Sequence, residues 1–306
     1  MRTTSLMLAA AAAVVASSAS AKGSCDRQCL LTLADRTMAA IAAKKYRSLP
    51  WADPTRYTEN NMGLMIGDAW WGSAGDEVGT KAFAFADPET GNVVWIGTIW
   101  DHDVPGYGVV RINAPDGKIR EIEVIAGRKP WPVPFGDPTK FTISSSMTAP
   151  VPVAERRSRE RLIDVADAYL ATKQRNDGTL LATFAPNCTM EENGVPVTSA
   201  EADYQPPASD CAAVFRQGLF APVERIRDRR FPLVDPERGL VLAISVQDLP
   251  VHRTTMFTTD GKKVPLKRDY PMSRLVAELI RIEGDKVVRS EAVVAPLPYR
   301  TPTPWK

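Results

Sequence analysis

The sequence predicts an α+β chain in which one plan, a helix followed by strands, is laid down twice. Three observations carry this prediction. Four blocks recur in the same order in the two halves. Each half opens on an amphipathic helix and closes on a strand–turn–strand pair. A proline-rich stretch separates the halves.

The helices come first. Residues 29–43 place Leu30, Leu33, Met38 and Ile41 close to helical spacing, which gives one apolar face. Residues 160–172 repeat the pattern with Leu162, Ile163, Val165, Ala166, Tyr169 and Leu170, so Asp35 corresponds to Asp167. The stretch YTENNMG at 57–63 is then matched by TMEENGV at 189–195, and Glu59 by Glu192. Asp87-Pro88-Glu89 and Asp235-Pro236-Glu237 each read as a turn opening a β-rich run, with Gly91 and Gly239 closing the turn. Residues 109–125 and 279–294 each read as strand, glycine-containing turn and strand.

The spacing between corresponding residues grows along the chain, so the second copy carries two insertions. One lies between Asn193 and Asp235 and holds Cys211; the other lies between Asp248 and Met272 and holds His252. The expected organisation is a signal peptide at 1–21, a first domain at 22–130, an extended proline-rich linker at 131–155 and a second domain at 156–306. The C-terminal run APLPYRTPTPWK reads as extended too.

Composition narrows the function classes. The 306 residues are 44% hydrophobic, enough to bury a real core. Lys plus Arg is 38 and Asp plus Glu is 36, a net charge of +2, so no nucleic acid partner is expected. Two histidines and four cysteines argue against a histidine-rich metal centre or a zinc ribbon, and no metal or cofactor is expected. No P-loop, dinucleotide fingerprint or nucleophile elbow is present, and Ser144-Ser145-Ser146 has no such setting.

The N-terminus carries Arg2, an apolar run from Leu6 to Ala16 and Ala19-Ser20-Ala21 as a cleavage site. The expectation is export to a periplasmic or secreted location, with the mature chain starting at Lys22. No later stretch reaches membrane-spanning length, so an integral membrane protein is not expected. In an oxidising compartment four cysteines read as two disulfides. Of three connectivities, Cys25–Cys29 with Cys188–Cys211 is favoured, because each pair then lies within one domain.

Several motifs resemble a known family. C-D-R-x-C-L at 25–30, T-E-N at 58–60, F-A-D-P-E-T-G at 85–91 and D-G-K-I-R-E-I-E at 116–123 look like exported bacterial and fungal domains of the nuclear-transport-factor-2-like (SnoaL-like) superfamily. The closest named group is a domain of unknown function. The resemblance covers residues 22–130, and the second half resembles the wider superfamily more loosely. It implies two tandem cystatin-like cones, each a curved antiparallel sheet wrapped by helices around an apolar pocket. Such pockets often work without a cofactor, as in ketosteroid isomerase and scytalone dehydratase, while many members only bind a ligand or a partner. The fold alone does not choose.

The second half resembles an isomerase-type site. Tyr169 stands in a setting like the family's helix tyrosine, Glu192 like its carboxylate base and Glu278 like its protonated acid, although the family uses aspartates. The implied roles are proton abstraction from carbon by Glu192 and stabilisation of the oxyanion by Tyr169 and Glu278. A one-residue register shift would present Glu191 instead of Glu192. In the first half the matching positions are Thr37, Glu59 and Gly108, so that chemistry does not carry over.

Other candidates come from the residues themselves. The first half is rich in tryptophan (Trp51, Trp70, Trp71, Trp95, Trp100 and Trp131), a set able to line an aromatic pocket, with Trp70 and Trp100 as its substrate-binding members. Asp101 and His102 follow a strand and form a second candidate acid–base pair. His252 and Arg253 stand just beyond the corresponding second-half strand, where they can line a pocket mouth. The run RIRDRR at 225–230 reads as a solvated face.

The expected function is that of a cofactor-independent lyase, isomerase or dehydratase acting on a small apolar molecule, aromatic ones included. The alternative is a non-catalytic periplasmic binding or interaction module. Either a monomer or a homodimer is compatible, and the two copies packing on each other would replace a dimer.

Overall fold

A computed structural model describes residues 25–75, 82–129, 135–197, 208–250, 255–266 and 270–305. The predicted signal peptide, Trp131, His252 and Arg253 lie outside these residues. In the first half, helix α1 (Arg27–Ala42) precedes β1 (Trp51–Glu59), β2 (Met62–Leu64), a short helix α2 (Trp70–Ser73), β3 (Ala82–Asp87), β4 (Asn92–Asp101), β5 (Val104–Asn113) and β6 (Ile119–Gly127). A short helix α3 (Ser145–Thr148) follows. The second half has α4 (Arg159–Arg175), β7 (Thr183–Glu192), β8 (Val195–Pro196), α5 (Cys211–Arg216), β9 (Arg225–Asp235) and β10 (Leu240–Leu249). It ends with β11 (Thr255–Phe257), β12 (Lys263–Pro265), β13 (Met272–Glu283) and β14 (Lys286–Leu297).

The two halves build the same sheet. Strand order is β2-β1-β6-β5-β4-β3 in the first and β8-β7-β14-β13-β10-β9 in the second, with β11 and β12 forming a separate hairpin. The sheets are mixed rather than wholly antiparallel. β3 to β6 and β9, β10, β13 and β14 run antiparallel, but β1 pairs with β6 and β7 with β14 in parallel. The parallel pairs arise because the last long strand of each half returns beside the first.

Both long helices start at side-chain caps. Asp26 accepts from Cys29 N at 2.8 Å and Ser158 from Arg161 N at 3.3 Å, which satisfies N–H groups that lack an intrahelical partner. α4 outruns its predicted end because Asn176, in the left-handed region, caps it. Each helix buries its apolar stripe on one face of its own sheet. Leu30, Leu33, Met38 and Ile41 pack with Val93, Trp95, Val110 and Ile122; Leu162, Val165, Tyr169 and Leu170 pack with Val241, Ala243, Val276 and Val294.

The opposite faces of the two sheets form a third core. It joins Phe85, Val94, Ile96 and Val109 of the first half to Leu240, Leu242, Leu275 and Leu279 of the second. Its edges are closed by reciprocal ion pairs. Arg27, the first residue of α1, meets Asp235 at 2.9 Å, while Arg159, the first residue of α4, meets Asp87. Asp87 and Asp235 are corresponding residues, so the contact is self-complementary in the way of a two-fold dimer interface.

The linker is not merely extended. Thr98 Oγ1 donates to Pro138 O at 2.5 Å on one side, and Gly136 N to Asn193 O at 2.8 Å on the other. Phe135 and Phe141 meet the Tyr107 ring edge-on at 5.2 and 6.2 Å. The C-terminal run crosses back to the first domain. Trp305, 5% exposed, is faced by the guanidinium groups of Arg56, Arg111 and Arg230 at 5.1, 4.8 and 5.3 Å. Trp305→Ala should therefore cost about 3 kcal/mol, read as a lower urea midpoint; an unchanged midpoint would show that the tail contributes no stability.

Both favoured disulfides are present, Cys25–Cys29 and Cys188–Cys211. Among the described residues no helix is long and apolar enough to cross a membrane, which says nothing about spanning strands.

Candidate functional site

The inner face of the second sheet holds a polar cluster enclosed by apolar core. Tyr169 and Lys173 lie one turn apart on α4, so both point at the same part of the sheet. Glu192 ends β7. Gln247 on β10 faces Arg274 on β13, Glu278 lies further along β13, and Ser290 comes from β14. Tyr169, Lys173 and Gln247 are fully buried, and the other four side chains are nearly so.

The bonds within the cluster are specific. Tyr169 Oη and Ser290 Oγ each donate to Glu278 Oε1 at 2.5 Å. Lys173 Nζ lies 3.3 Å from Glu192 Oε1 and 3.4 Å from Glu278 Oε2, bridging the two carboxylates. Arg274 Nη1 donates to Glu192 Oε2 at 3.1 Å and its Nη2 to Gln247 Oε1 at 2.6 Å. The Lys173 ammonium also sits over the Phe220 ring at 4.5 Å.

The electrostatics follow from this enclosure. Burial pushes the Tyr169 phenol well above its usual range, and neighbouring Glu278 adds to the effect, so it remains a neutral donor. Burial pushes the Glu192 carboxyl up, but Arg274 and Lys173 outweigh it and leave the group below the ordinary glutamate range. Glu192 is therefore ionised at neutral pH, and is weakened as a base by the same cations.

Tyr169, Glu192 and Glu278, chosen from sequence, thus meet in one cluster, but the Tyr169 hydroxyl is spent on Glu278 rather than left free to bind the expected oxyanion. Lys173, Ser290 and Gln247 were missed. The signal for Lys173 was available: it lies four residues after Tyr169, on the same helix face. Ser290 and Gln247 are single polar residues in inward-facing strand positions and carry no motif. Of the two arginines that flank Glu278 on β13, Arg274 pairs with Glu192, and Arg281 bonds Ala149 O and Glu283.

The register question resolves in favour of Glu192. Glu191 points to the other face, between Arg289 at 3.2 Å and its cross-strand partner Glu291. Burial, then Glu291, push its carboxyl up, and Arg289 only partly offsets them. A raised folded-state value means that stability falls as pH rises from the ordinary glutamate range through that value. Glu191→Gln should therefore raise stability at neutral pH and flatten its dependence above the ordinary glutamate range, as urea unfolding at a series of pH values would show. A less stable variant at neutral pH would contradict this.

The first domain supplies an internal comparison. With Asp87 aligned on Asp235, the pair Trp95–Val110 corresponds to Ala243–Glu278, so Val110 rather than Gly108 is the counterpart of Glu278. By the same registers Ile99, Gly106 and Ile122 stand for Gln247, Arg274 and Ser290, and along the helices Thr37 and Ile41 stand for Tyr169 and Lys173. One carboxylate persists. Glu59 and Glu192 both end a strand before a left-handed asparagine, Asn60 or Asn193, whose amide clamps the neighbouring long strand.

Glu59 has different company from Glu192. It accepts from Trp70 N at 2.9 Å and pairs with Arg128 at 2.8 Å, and Arg128 also meets Asp101 at 2.6 Å. His102 Nδ1 lies 3.2 Å from Asp101 Oδ1, but the imidazole is 79% exposed in the β4–β5 turn. Trp70 is a core residue, 1% exposed, with its indole N–H donating to Trp100 O. Trp71 packs against Tyr46, Trp51 and Tyr57. Trp70, Trp71 and Trp95 thus fill core rather than line an open pocket, while Trp51 and Trp100 are half-buried. A cleft of about 830 Å³ opens elsewhere on this domain, along β1 and β2, lined by Arg56, Tyr57, Leu64, Asp68 and Glu121 among others.

The described parts of both insertions pack into the same apolar core as the cluster. The first carries α5, tied to β7 by Cys188–Cys211, and buries Phe215, Leu219 and Phe220. The second carries the β11–β12 hairpin, which buries Met256 and Val264 in the same core. They bond to each other through Thr259, whose N–H donates to Gln217 O at 3.1 Å and whose hydroxyl donates to Arg216 O at 2.5 Å.

A family model described as a domain of unknown function, DUF8021, matches residues 155–294, within the second half. No curated protein matches. Among solved structures, AusH from Aspergillus nidulans is 15% identical, with 45% of this chain and 86% of that one covered and a TM-score of 0.30. At that score the likeness bears on neither fold nor function.

Proposed function

We propose that the second domain is a cofactor-independent lyase, isomerase or dehydratase, built on a nuclear-transport-factor-2-like cone, that moves a proton on a small, largely apolar molecule. Glu192 is the base. Tyr169, Ser290 and Lys173 hold Glu278 in place, and Lys173 ties the two carboxylates together. The observation that supports this reading is the contrast between the domains. The first builds the same sheet and helix with Thr37, Ile41, Ile99, Gly106, Val110 and Ile122 where the second carries Tyr, Lys, Gln, Arg, Glu and Ser. The architecture does not require the polar set. Buried ion networks are poor stabilisers compared with apolar packing, and clusters of this kind concentrate at functional sites.

One observation favours the binding-module reading: the cluster is sealed, with Lys173 and Tyr169 at 0% exposure beneath Phe215 and Phe220, so a substrate reaches it only if this cover moves. Thermal stabilisation by substituted phenols, which mimic enolates, separates the two readings. At a hundred times its dissociation constant a ligand adds about 2.7 kcal/mol. The proton-transfer reading expects phenols to stabilise the wild type and Glu192→Gln to change their order of preference. Stabilisation that ignores Glu192→Gln favours the binding module, and no stabilisation by any phenol counts against a small-molecule site.

A further inference from the structure

Gln247 is wholly buried on the inner face of β10, flanked along that face by Ser245 and by core residue Leu249. Its amide orientation is dictated by chemistry. Arg274 Nη2 lies 2.6 Å from one end of the amide, and a guanidinium only donates, so that end is the oxygen. The Nε2 group therefore points away from Arg274, and among the described residues it finds no acceptor. Buried amide donors are rarely left without a partner. Gln247 is also not demanded by the fold, because its counterpart Ile99 is apolar and equally buried.

We infer that Gln247 Nε2 is the oxyanion-binding donor of the site, and that the substrate is a carbonyl compound to whose oxygen it donates. This rests on the proton-transfer reading above. The arrangement suits charge that moves. Arg274 pairs with Glu192 through Nη1, at 3.1 Å, and with Gln247 through Nη2. When Glu192 takes a proton from the carbon next to the carbonyl, the C–H electron pair becomes a C=C bond. The carbonyl π pair then moves onto oxygen. The negative charge thus leaves Glu192 and appears at the far end of the amide that Arg274 polarises through its oxygen. Return of the proton to a different carbon gives an isomer; departure of a β-substituent, taking its bonding pair and that proton, gives an elimination product. Neither course needs a co-reactant.

The test uses 4-nitrophenolate as the oxyanion probe and 4-nitroanisole as its uncharged counterpart, with binding read by absorbance and melting temperature. Gln247→Glu keeps an acceptor for Arg274 and removes the donor; Gln247→Leu removes the donor without adding charge and serves if the first variant does not fold. Both should weaken 4-nitrophenolate by about tenfold or more while leaving 4-nitroanisole nearly unchanged. If wild type binds 4-nitrophenolate and neither variant weakens it, this inference fails while the role of Glu192 stands. If wild type binds neither probe, the inference and the proton-transfer reading fail together.

Discussion

Replacing Lys173 with isoleucine, the residue that the first domain carries at the same place, should destabilise the second domain by about 3–5 kcal/mol. The change removes the one cation that bridges Glu192 and Glu278 and leaves Glu278 buried with only hydroxyl donors. Converting the surroundings as well should reverse most of that loss. In Lys173→Ile, Glu278→Val, Ser290→Ile with Tyr169→Phe, no hydroxyl or carboxylate around Lys173 is left unpaired, and Glu192 keeps Arg274. The fourfold variant should be near wild type in stability, or above it, because apolar packing commonly equals or exceeds a buried ion network. Urea unfolding followed by circular dichroism reads both. A fourfold variant as unstable as the single one would mean that the cluster is a structural requirement of this domain, and the contrast with the first domain would lose its force.

Loss of the Cys188–Cys211 bridge is the second large effect. The cysteines are 23 positions apart, and releasing a loop of that size costs about 3 kcal/mol in the chain-entropy model. The cost should fall on one region. The bridge ties α5, and with it Phe215, to the strand that ends in Glu192. The variant Cys188→Ala with Cys211→Ala should thus show faster amide exchange in residues 208–223 and in the Glu192 end of β7, with α1 and the first sheet unchanged. Uniform exchange across both domains would contradict the view that the insertion is a cap held locally.

The duplication was legible because it is written in local signals: helix periodicity, the Asp-Pro-Glu turns and the glycine-containing hairpins. The parallel partners of β1 and β7 were not, because sheet neighbours distant in sequence leave no local mark. The site was half legible. Tyr169, Glu192 and Glu278 sit in recognisable settings, and the inward face of Glu278 follows from its alternation with Val276 and Ile280. The cations were harder. Arg274 alternates with the same apolar residues, and nothing local says that it reaches across to Glu192 rather than along its own strand to Glu278. Trp70 misled because tryptophan serves core and pocket equally, and only packing distinguishes them.

Proton abstraction from carbon by Glu192 would show itself as deuterium wash-in. Incubating the protein with a panel of small ketones in deuterated water, and following loss of the α-proton signal by NMR, reads C–H cleavage without knowledge of the product. Wild type should accelerate exchange for at least one ketone, Glu192→Gln should lower that rate by about a hundredfold or more, and the folded fourfold variant should lose it as well. Exchange that persists in Glu192→Gln, or a wild-type rate equal to buffer for every ketone, would contradict the account.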